Sequence, residues 1–109
     1  MSDSWISVCD ESVLVPDTGI CAKVGDDHVA IFKVAGSGDL FAISNICPFG
    51  KASVLSRGLI GEVDGALYVA SPLLKQRFRL DNGVCLDDDS ITIATYPVRV
   101  SDGQVEIAA

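Results

Sequence analysis

Two short segments contain the residues whose types and spacing could do chemistry. They are NICPFG at residues 45–50 and ASPLLKQRF at residues 70–78. If the first read Cys-Pro-His and the second Cys-Pro-x-His, they would supply two thiolates and two imidazoles, the ligand set of one class of two-iron cluster. The residues at those four positions are Cys47, Phe49, Ser71 and Leu74. Three of the four positions therefore lack the donor atom that such a cluster needs.

The remaining histidine and cysteine residues do not replace the missing ligands. The chain has one histidine, His28, so a site with two imidazoles cannot be built from it. Its four cysteines are Cys9, Cys21, Cys47 and Cys85. Zinc and iron–sulfur sites usually pair cysteines two to four residues apart, and no two of these are so close. We predict that this chain holds no metal or cofactor and that its thiols are reduced and inert.

Length and charge limit the possible functions. A chain of 109 residues is expected to form a single domain over residues 1–109, with one compact core. Its net charge of −7 opposes nucleic acids and anionic membranes as partners. No apolar run approaches the roughly 20 residues that span a bilayer, and the start MSDSWISVCDES does not resemble a signal peptide. We therefore expect a cytoplasmic protein.

The elements that must position the two segments are predicted to be strands. Short runs rich in Val, Ile and Phe recur between turn signals, and several alternate at period two. These runs are WISVC (5–9), ICAKV (20–24), HVAIFKV (28–34), LFAIS (40–44), ALYVA (66–70), YPVRV (96–100) and QVEIA (104–108). The pairs Asp64-Gly65, Asn82-Gly83 and Asp102-Gly103 suit tight hairpins, because they tolerate positive φ at both central positions. Helix is expected only as one short turn near residues 52–56, so the chain is predicted to be antiparallel and all-β.

The strand order and three motifs carry a family resemblance. SNICPF, VLSRGLIG and VASPLLKQRFRL resemble the Rieske-like small subunit of bacterial assimilatory NADH-dependent nitrite reductase. The likeness runs over nearly the whole chain. It implies a Rieske-like antiparallel β-sandwich or barrel with two ligand-loop tips, in which the four cluster positions are degenerate.

The resemblance also implies a function. The large subunit of such an enzyme would carry FAD, siroheme and a 4Fe-4S cluster and would reduce nitrite to ammonium with NADH. The small subunit would be inactive alone and would support the large subunit by packing, stabilisation or positioning. The alternative is an independent Rieske-derived module that presents its ligand-free tips to another protein or a small molecule. Co-purification with a heavy, coloured partner would separate the two.

A group of basic residues is the main candidate for partner binding. Five of the eight basic residues lie between positions 51 and 79 of an otherwise acidic chain. They are Lys51, Arg57, Lys75, Arg77 and Arg79. A strand over residues 74–80 would place the last three on one face and Phe78 on the other. This face could dock on an acidic partner, or it could be a solvated strand face whose cations pair with nearby Asp or Glu.

The remaining candidates have simpler interpretations. We expect Phe49 and Leu74 to pack together where ligands would otherwise lie, and Trp5 to anchor the core. His28 is predicted to be a surface residue. The run at residues 87–89, Asp-Asp-Asp, is not predicted to bind a cation, because calcium ligands are normally spread along a loop.

Overall fold

The computed structural model describes residues 5–36, 38–49, 51–73 and 75–108. Within these ranges the chain forms strands and two 3₁₀ helices, so the all-β prediction is confirmed. The strands are β1 (Trp5–Asp10), β2 (Gly19–Val24), β3 (Asp27–Lys33), β4 (Leu40–Ser44), β5 (Ile46–Cys47), β6 (Ala52–Ser53), β7 (Leu59–Val63), β8 (Ala66–Ala70), β9 (Arg77–Arg79), β10 (Thr95–Tyr96), β11 (Val98–Ser101) and β12 (Gln104–Ala108). The 3₁₀ helices are Glu11–Val13 and Leu55–Arg57. In the described ranges, no helix is long and apolar enough to span a bilayer.

The strands form four antiparallel groups. Their orders are β1-β12-β11, β10-β4-β3-β2, β5-β6 and β7-β8-β9. The β10-β4-β3-β2 sheet is the middle layer, because β3 is buried on both faces. Side chains alternate across a strand, so Val29 and Ile31 enter one hydrophobic cluster while Ala30 and Phe32 enter the other.

The two clusters separate a scaffold from the tip region. One contains Val105 and Ile107 of β12 and lies between the middle layer and the β1-β12-β11 sheet. The other contains Cys47, Val69 and Phe78, together with residues from the middle layer. The two segments with possible ligand positions therefore both begin on this second core.

Two of the three predicted hairpins are confirmed. Asp64 and Gly65 connect β7 to β8, and Asp102 and Gly103 connect β11 to β12; all four residues have positive φ. The prediction was wrong for Asn82-Gly83, where only Gly83 has positive φ. There the Asn82 side-chain oxygen accepts a hydrogen bond from the backbone N–H two residues later, which makes a local turn.

The segment YPVRV does not form the single strand that was predicted. Tyr96 pairs with Ala42 of β4, whereas Val98 pairs with Ile107 of β12. Pro97 lies between them. Proline has no backbone N–H to donate to a ladder, so the chain changes sheets at this residue.

The expected helical turn is displaced. Residues 52–53 are strand β6, and the 3₁₀ turn lies at Leu55–Arg57. The neighbouring strand β7 was not among the predicted runs. Its polar and glycine positions, Gly61 and Glu62, interrupt the apolar pattern, so the alternation that signals a strand is weak there.

Trp5 does not anchor the core as predicted. It is only half-buried, at the start of β1. The guanidinium carbon of Arg99 lies 4.0 Å from the centre of its ring, a cation–π contact across the sheet surface. Arg99 is also held by Glu106, whose Oε1 accepts a hydrogen bond from Nε at 2.7 Å.

Candidate functional site

The first tip loop, residues 47–51, connects the short strands β5 and β6. Cys47 is fully buried at its start, and the Cys47 carbonyl accepts a hydrogen bond from the Lys51 backbone N–H at 2.6 Å. Lys51 takes a left-handed conformation with φ of 54°. This conformation is uncommon for a residue with a side chain and closes the loop tightly.

The second tip loop, residues 71–75, follows β8 and repeats this arrangement. Ser71 is 1% exposed, and its carbonyl accepts a hydrogen bond from the Lys75 backbone N–H at 3.0 Å. Lys75 has φ of 63°. Each loop thus begins with a buried small residue, continues with proline and closes four residues later on a left-handed lysine. The first position of each ligand pair, Cys47 or Ser71, therefore has the same backbone setting, although Ser71 has a hydroxyl in place of a thiol.

Asn45 fixes the first loop to its surroundings, which the sequence analysis missed. It is 1% exposed. Its Oδ1 accepts a hydrogen bond from the Ser56 N–H at 2.6 Å, and its Nδ2 donates to Ser53 Oγ at 2.7 Å. The Asn45 backbone N–H donates to the His28 carbonyl at 2.8 Å. One side chain thus ties β4, β6 and the following 3₁₀ helix together immediately before Cys47.

The tip carries exposed apolar side chains, which corrects one expectation. Phe49 was expected to be buried, but it is 37% exposed, with its ring centre 6.2 Å from that of buried Phe78. Leu73 is 52% exposed and Leu59 is 78% exposed. Leu74, the other residue expected to pack there, lies outside the described residues. The described part of the tip therefore presents an apolar surface.

A cavity of about 420 Å³ lies beside the second tip loop. Its apolar lining residues include Leu59 and Pro72, and Ser71 also lines it. Arg57 and Lys75 line it as well. The cavity is therefore lined by apolar residues and by two basic ones, a combination suited to a carboxylate attached to an apolar stem.

The predicted basic face divides into two sets. Arg77 Nη2 donates to Asp87 Oδ1 at 2.9 Å, and Arg79 Nη2 donates to Asp81 Oδ2 at 2.7 Å. These hydrogen bonds lower the pKa of both Asp87 and Asp81 below the usual value for aspartate. Lys75 is not on this face at all, because the strand is limited to Arg77–Arg79. For Arg77 and Arg79 these contacts are the Asp pairs that the solvated-face interpretation expects, and their docking role stays a prediction.

The second set consists of Lys51, Arg57 and Lys75. All three are exposed. Among the residues that the structure describes, they make no ion pair, since the three pairs found involve Arg77, Arg79 and Arg99. Of the five basic residues predicted to bind a partner, the three at the tip are thus the ones outside the described ion pairs.

The Arg77–Asp87 pair predicts a pH dependence of stability. Because the pKa of Asp87 in the folded chain is lowered from its ordinary value of 3.8, its contribution to stability is present above that pH and is lost as the pH falls through the lowered pKa. Asp87→Asn should therefore lower the urea midpoint slightly at pH 7, and this difference should vanish in strong acid. Asp89→Asn is the control. An Asp87→Asn defect that persists unchanged at low pH would contradict this explanation.

Comparison with known proteins identifies the family. A model of the Rieske-like [2Fe-2S] domain family matches residues 4–108. The nitrite reductase (NADH) small subunit of Escherichia coli K12 is 52% identical over 103 residues, covering 94% of this chain and 95% of that protein. The chain belongs to the Rieske-like family of nitrite reductase small subunits.

Two further family comparisons extend this result. A solved structure of the NADH-dependent nitrite reductase small subunit from Mycobacterium tuberculosis matches with a TM-score of 0.93 at 37% identity, covering 100% of this chain and 97% of that one. This likeness confirms the predicted Rieske-like fold. The nitrite reductase (NAD(P)H) large subunit of Klebsiella oxytoca contains a stretch 36% identical over 104 residues, which covers 95% of this chain and 11% of that protein.

The family description implies a two-iron cluster, but the residues of this chain do not fit one. A Rieske cluster needs two thiolates and two imidazoles. Phe49 has no donor atom, Leu74 has none by its chemistry, and Ser71 offers a hydroxyl in place of a thiolate. The one histidine, His28, lies on β3, where its Nδ1 is 2.8 Å from Ser53 Oγ. The tip thus has the shape of a ligand site without the ligands.

The remaining polar candidates, His28 and the aspartate run at residues 87–89, lie at the surface. His28 is exposed, as predicted. In the aspartate run, Asp87 pairs with Arg77 and Asp88 accepts hydrogen bonds from the backbone and hydroxyl of Ser90. Among the described residues, no cluster of three or more His, Cys, Asp or Glu side chains is placed to hold a metal ion.

Proposed function

We propose that this chain is the non-catalytic small subunit of a cytoplasmic NADH-dependent nitrite reductase and that residues 1–109 act in it as one Rieske-like domain. The observation that carries the proposal is the 52% identity to the Escherichia coli small subunit over nearly the full length of both chains. A similarity of this extent includes both tip loops and the scaffold that holds them.

The partner we propose is the large subunit of that enzyme. The Klebsiella oxytoca large subunit contains a stretch similar to almost this whole chain. A domain that is a separate chain in one protein and part of the large chain in another is expected to pack against the same neighbour in both. This arrangement supports a stable complex and does not favour an independent module.

Within the complex, we place the chemistry in the large subunit. It would carry FAD, siroheme and a 4Fe-4S cluster and would reduce nitrite to ammonium with NADH during nitrate assimilation. The present chain supplies packing and positioning. Its own residues support this division of labour, since the tip has a buried Ser71 and an exposed Phe49 where electron-transfer ligands would be needed.

The experiment that tests the proposal is co-purification followed by reconstitution. The tagged chain should retain a heavy flavin-containing partner from cells grown on nitrate. Nitrite-dependent NADH oxidation by the large subunit, measured over time, should be faster or longer-lived when this chain is added, and the chain alone should be inactive. Failure to retain nitrite reductase, or an activity indifferent to the added chain, would refute the proposed function.

A separate prediction concerns the cofactor content of this chain. Purified without its partner under anaerobic conditions, it should be colourless and free of iron and acid-labile sulfide, because only one of the four cluster positions has a suitable donor. The measurements are visible absorption, iron analysis and sulfide analysis. Stoichiometric iron and sulfide, together with the visible absorption of a two-iron cluster, would contradict this prediction.

A further inference from the structure

We propose that the two tip loops and the adjoining cavity form the docking surface for the large subunit, and that the cavity receives a carboxylate side chain from an acidic and partly apolar segment of that subunit. This inference rests on the proposed function, because it names the surface through which the two subunits meet. Arg77 and Arg79 are not part of this surface, because they are already paired with Asp87 and Asp81 within the chain.

The charge of the tip indicates the chemistry of the partner. The chain as a whole has a net charge of −7. Against this background Lys51, Arg57 and Lys75 lie exposed, and the described part of the chain offers none of them an ion pair. Arg57 and Lys75 line one cavity, and a local positive surface on an acidic protein attracts acidic segments and orients them during association.

The apolar part of the tip indicates that contact is direct. Phe49, Leu73 and Leu59 are 37%, 52% and 78% exposed, respectively. Leu59 pairs with Ala70, which directly precedes the second loop, and the ring of Phe49 contacts Phe78 on the same sheet. All three residues thus lie near one end of the β7-β8-β9 sheet, with Leu59 on its outer face and Phe49 beside its core face. An apolar centre with charged groups around it is the usual composition of a protein interface.

The cavity indicates how the partner is recognised. Its volume of about 420 Å³ exceeds that of a single side chain, so an Asp or Glu could enter with neighbouring backbone. Arg57 can donate two parallel hydrogen bonds to a carboxylate, and Lys75, which also lines the cavity, would supply a second positive charge. The walls from Leu59 and Pro72 would contact the apolar stem of the entering segment.

Backbone hydrogen bonds join the ends of each loop, which favours binding. The Ser71 carbonyl accepts a hydrogen bond from the Lys75 N–H, and the Cys47 carbonyl accepts one from the Lys51 N–H. Asn45, which precedes the first loop, accepts a hydrogen bond from the Ser56 N–H. A surface ordered before association loses less conformational entropy when the partner binds. The backbone arrangement beside Cys47 and Ser71 would then serve docking geometry here.

The test compares binding of the intact large subunit to matched variants by biolayer interferometry at low and high salt. Arg57→Glu combined with Lys75→Glu should weaken binding by about tenfold or more at low salt, mainly through slower association, and the defect should shrink as salt screens the charges. Leu59→Ser combined with Leu73→Ser should weaken it by about tenfold at both salt concentrations. Circular dichroism and urea midpoints verify that each variant folds.

The charge-matched control is Lys23→Glu combined with Lys33→Glu, in the middle layer, which should bind within about twofold of the wild type. If wild-type chain binds the large subunit and the Arg57 and Lys75 variant binds no worse than this control, the docking inference is overturned while the proposed function stands. If the wild type does not bind at all, both are overturned. Self-association of the chain alone that the tip variants abolish would assign the surface to a second copy and also overturn the inference.

Discussion

The Asn45→Ala variant is expected to lose about 3 kcal/mol of unfolding free energy, because a buried amide that satisfies several groups cannot be replaced by water. Its Oδ1 is the acceptor for the Ser56 N–H, and its Nδ2 donates to Ser53 Oγ and approaches Cys21 Sγ at 3.3 Å. With alanine at position 45, the Ser56 N–H and the Ser53 hydroxyl lose these hydrogen bonds, and a small cavity opens beside the first tip loop. Urea unfolding followed by the fluorescence of Trp5 measures the loss.

Asn82→Ala is the matched control, because it removes the same side chain from an exposed turn. Asn82 accepts one hydrogen bond, from the Val84 N–H at 3.0 Å, and water can replace it. The control is expected to cost less than about 1 kcal/mol. Equal losses for the two variants would show that Asn45 does not organise the tip. The Asn45→Ala variant should also show faster hydrogen exchange in residues 53–56 than the control.

The second large effect is expected for Gly83→Ala, with a loss of about 3 kcal/mol or more. Gly83 has φ of 78°, which already disfavours any residue with a side chain. An added Cβ would also overlap the carbonyl oxygen of Ile93. That residue cannot move away freely, because the Ile93 N–H donates to the Gly83 carbonyl at 2.9 Å and Ile93 packs in the second core. The two strand-like segments would have to separate.

The Gly65→Ala variant separates the effect of the backbone conformation from the effect of the overlap with Ile93. Gly65 has φ of 81°, close to that of Gly83, but an added Cβ there would meet no described atom within 4 Å. The backbone conformation alone should then cost about 1 kcal/mol. Urea midpoints of the two variants give the difference, which measures the close approach to Ile93. A Gly83→Ala variant no less stable than Gly65→Ala would mean that the clash is relieved by a small shift.

The hydrogen bonds that close the tip loops do not depend on metal ligands. In this chain the hydrogen bonds that close each loop run between backbone groups, from Lys51 to Cys47 and from Lys75 to Ser71. They do not need a thiol or an imidazole. Phe49 and Ser71 in place of ligands are therefore compatible with these loops, and the exposed surface is available for contact with another protein.

The sequence by itself determined the elements that depend on local chemistry. Alternating apolar residues predicted most of the strands, since a strand side chain repeats its environment every second residue. The pairs Asp64-Gly65 and Asp102-Gly103 predicted two hairpins, because positive φ at both positions is tolerated by few residue types. The count of one histidine argued against a Rieske cluster before any geometry was known.

The sequence was less informative where a residue contacts segments that are distant from it along the chain. YPVRV looked like one strand, but Pro97 lets the chain leave β4 and join β12. The motif SNICPF contained Asn45, yet nothing local indicated that its amide would reach Ser56 eleven residues later. Such contacts depend on the folded positions of other segments, so periodicity and turn chemistry do not contain them.

Only the tertiary structure decided which part of the tip is available to a partner. Five basic residues in residues 51–79 looked alike in the sequence, but folding brings Asp87 to Arg77 and Asp81 to Arg79 and leaves Lys51, Arg57 and Lys75 outside the described ion pairs. The left-handed conformations of Lys51 and Lys75 have no sequence signal, because lysine does not favour positive φ and the surrounding loop imposes it. The exposure of Phe49 likewise follows from how the first loop lies beside Phe78 of β9. An apolar residue in a sequence can lie in a core or at an interface, and only its neighbours in the fold distinguish the two.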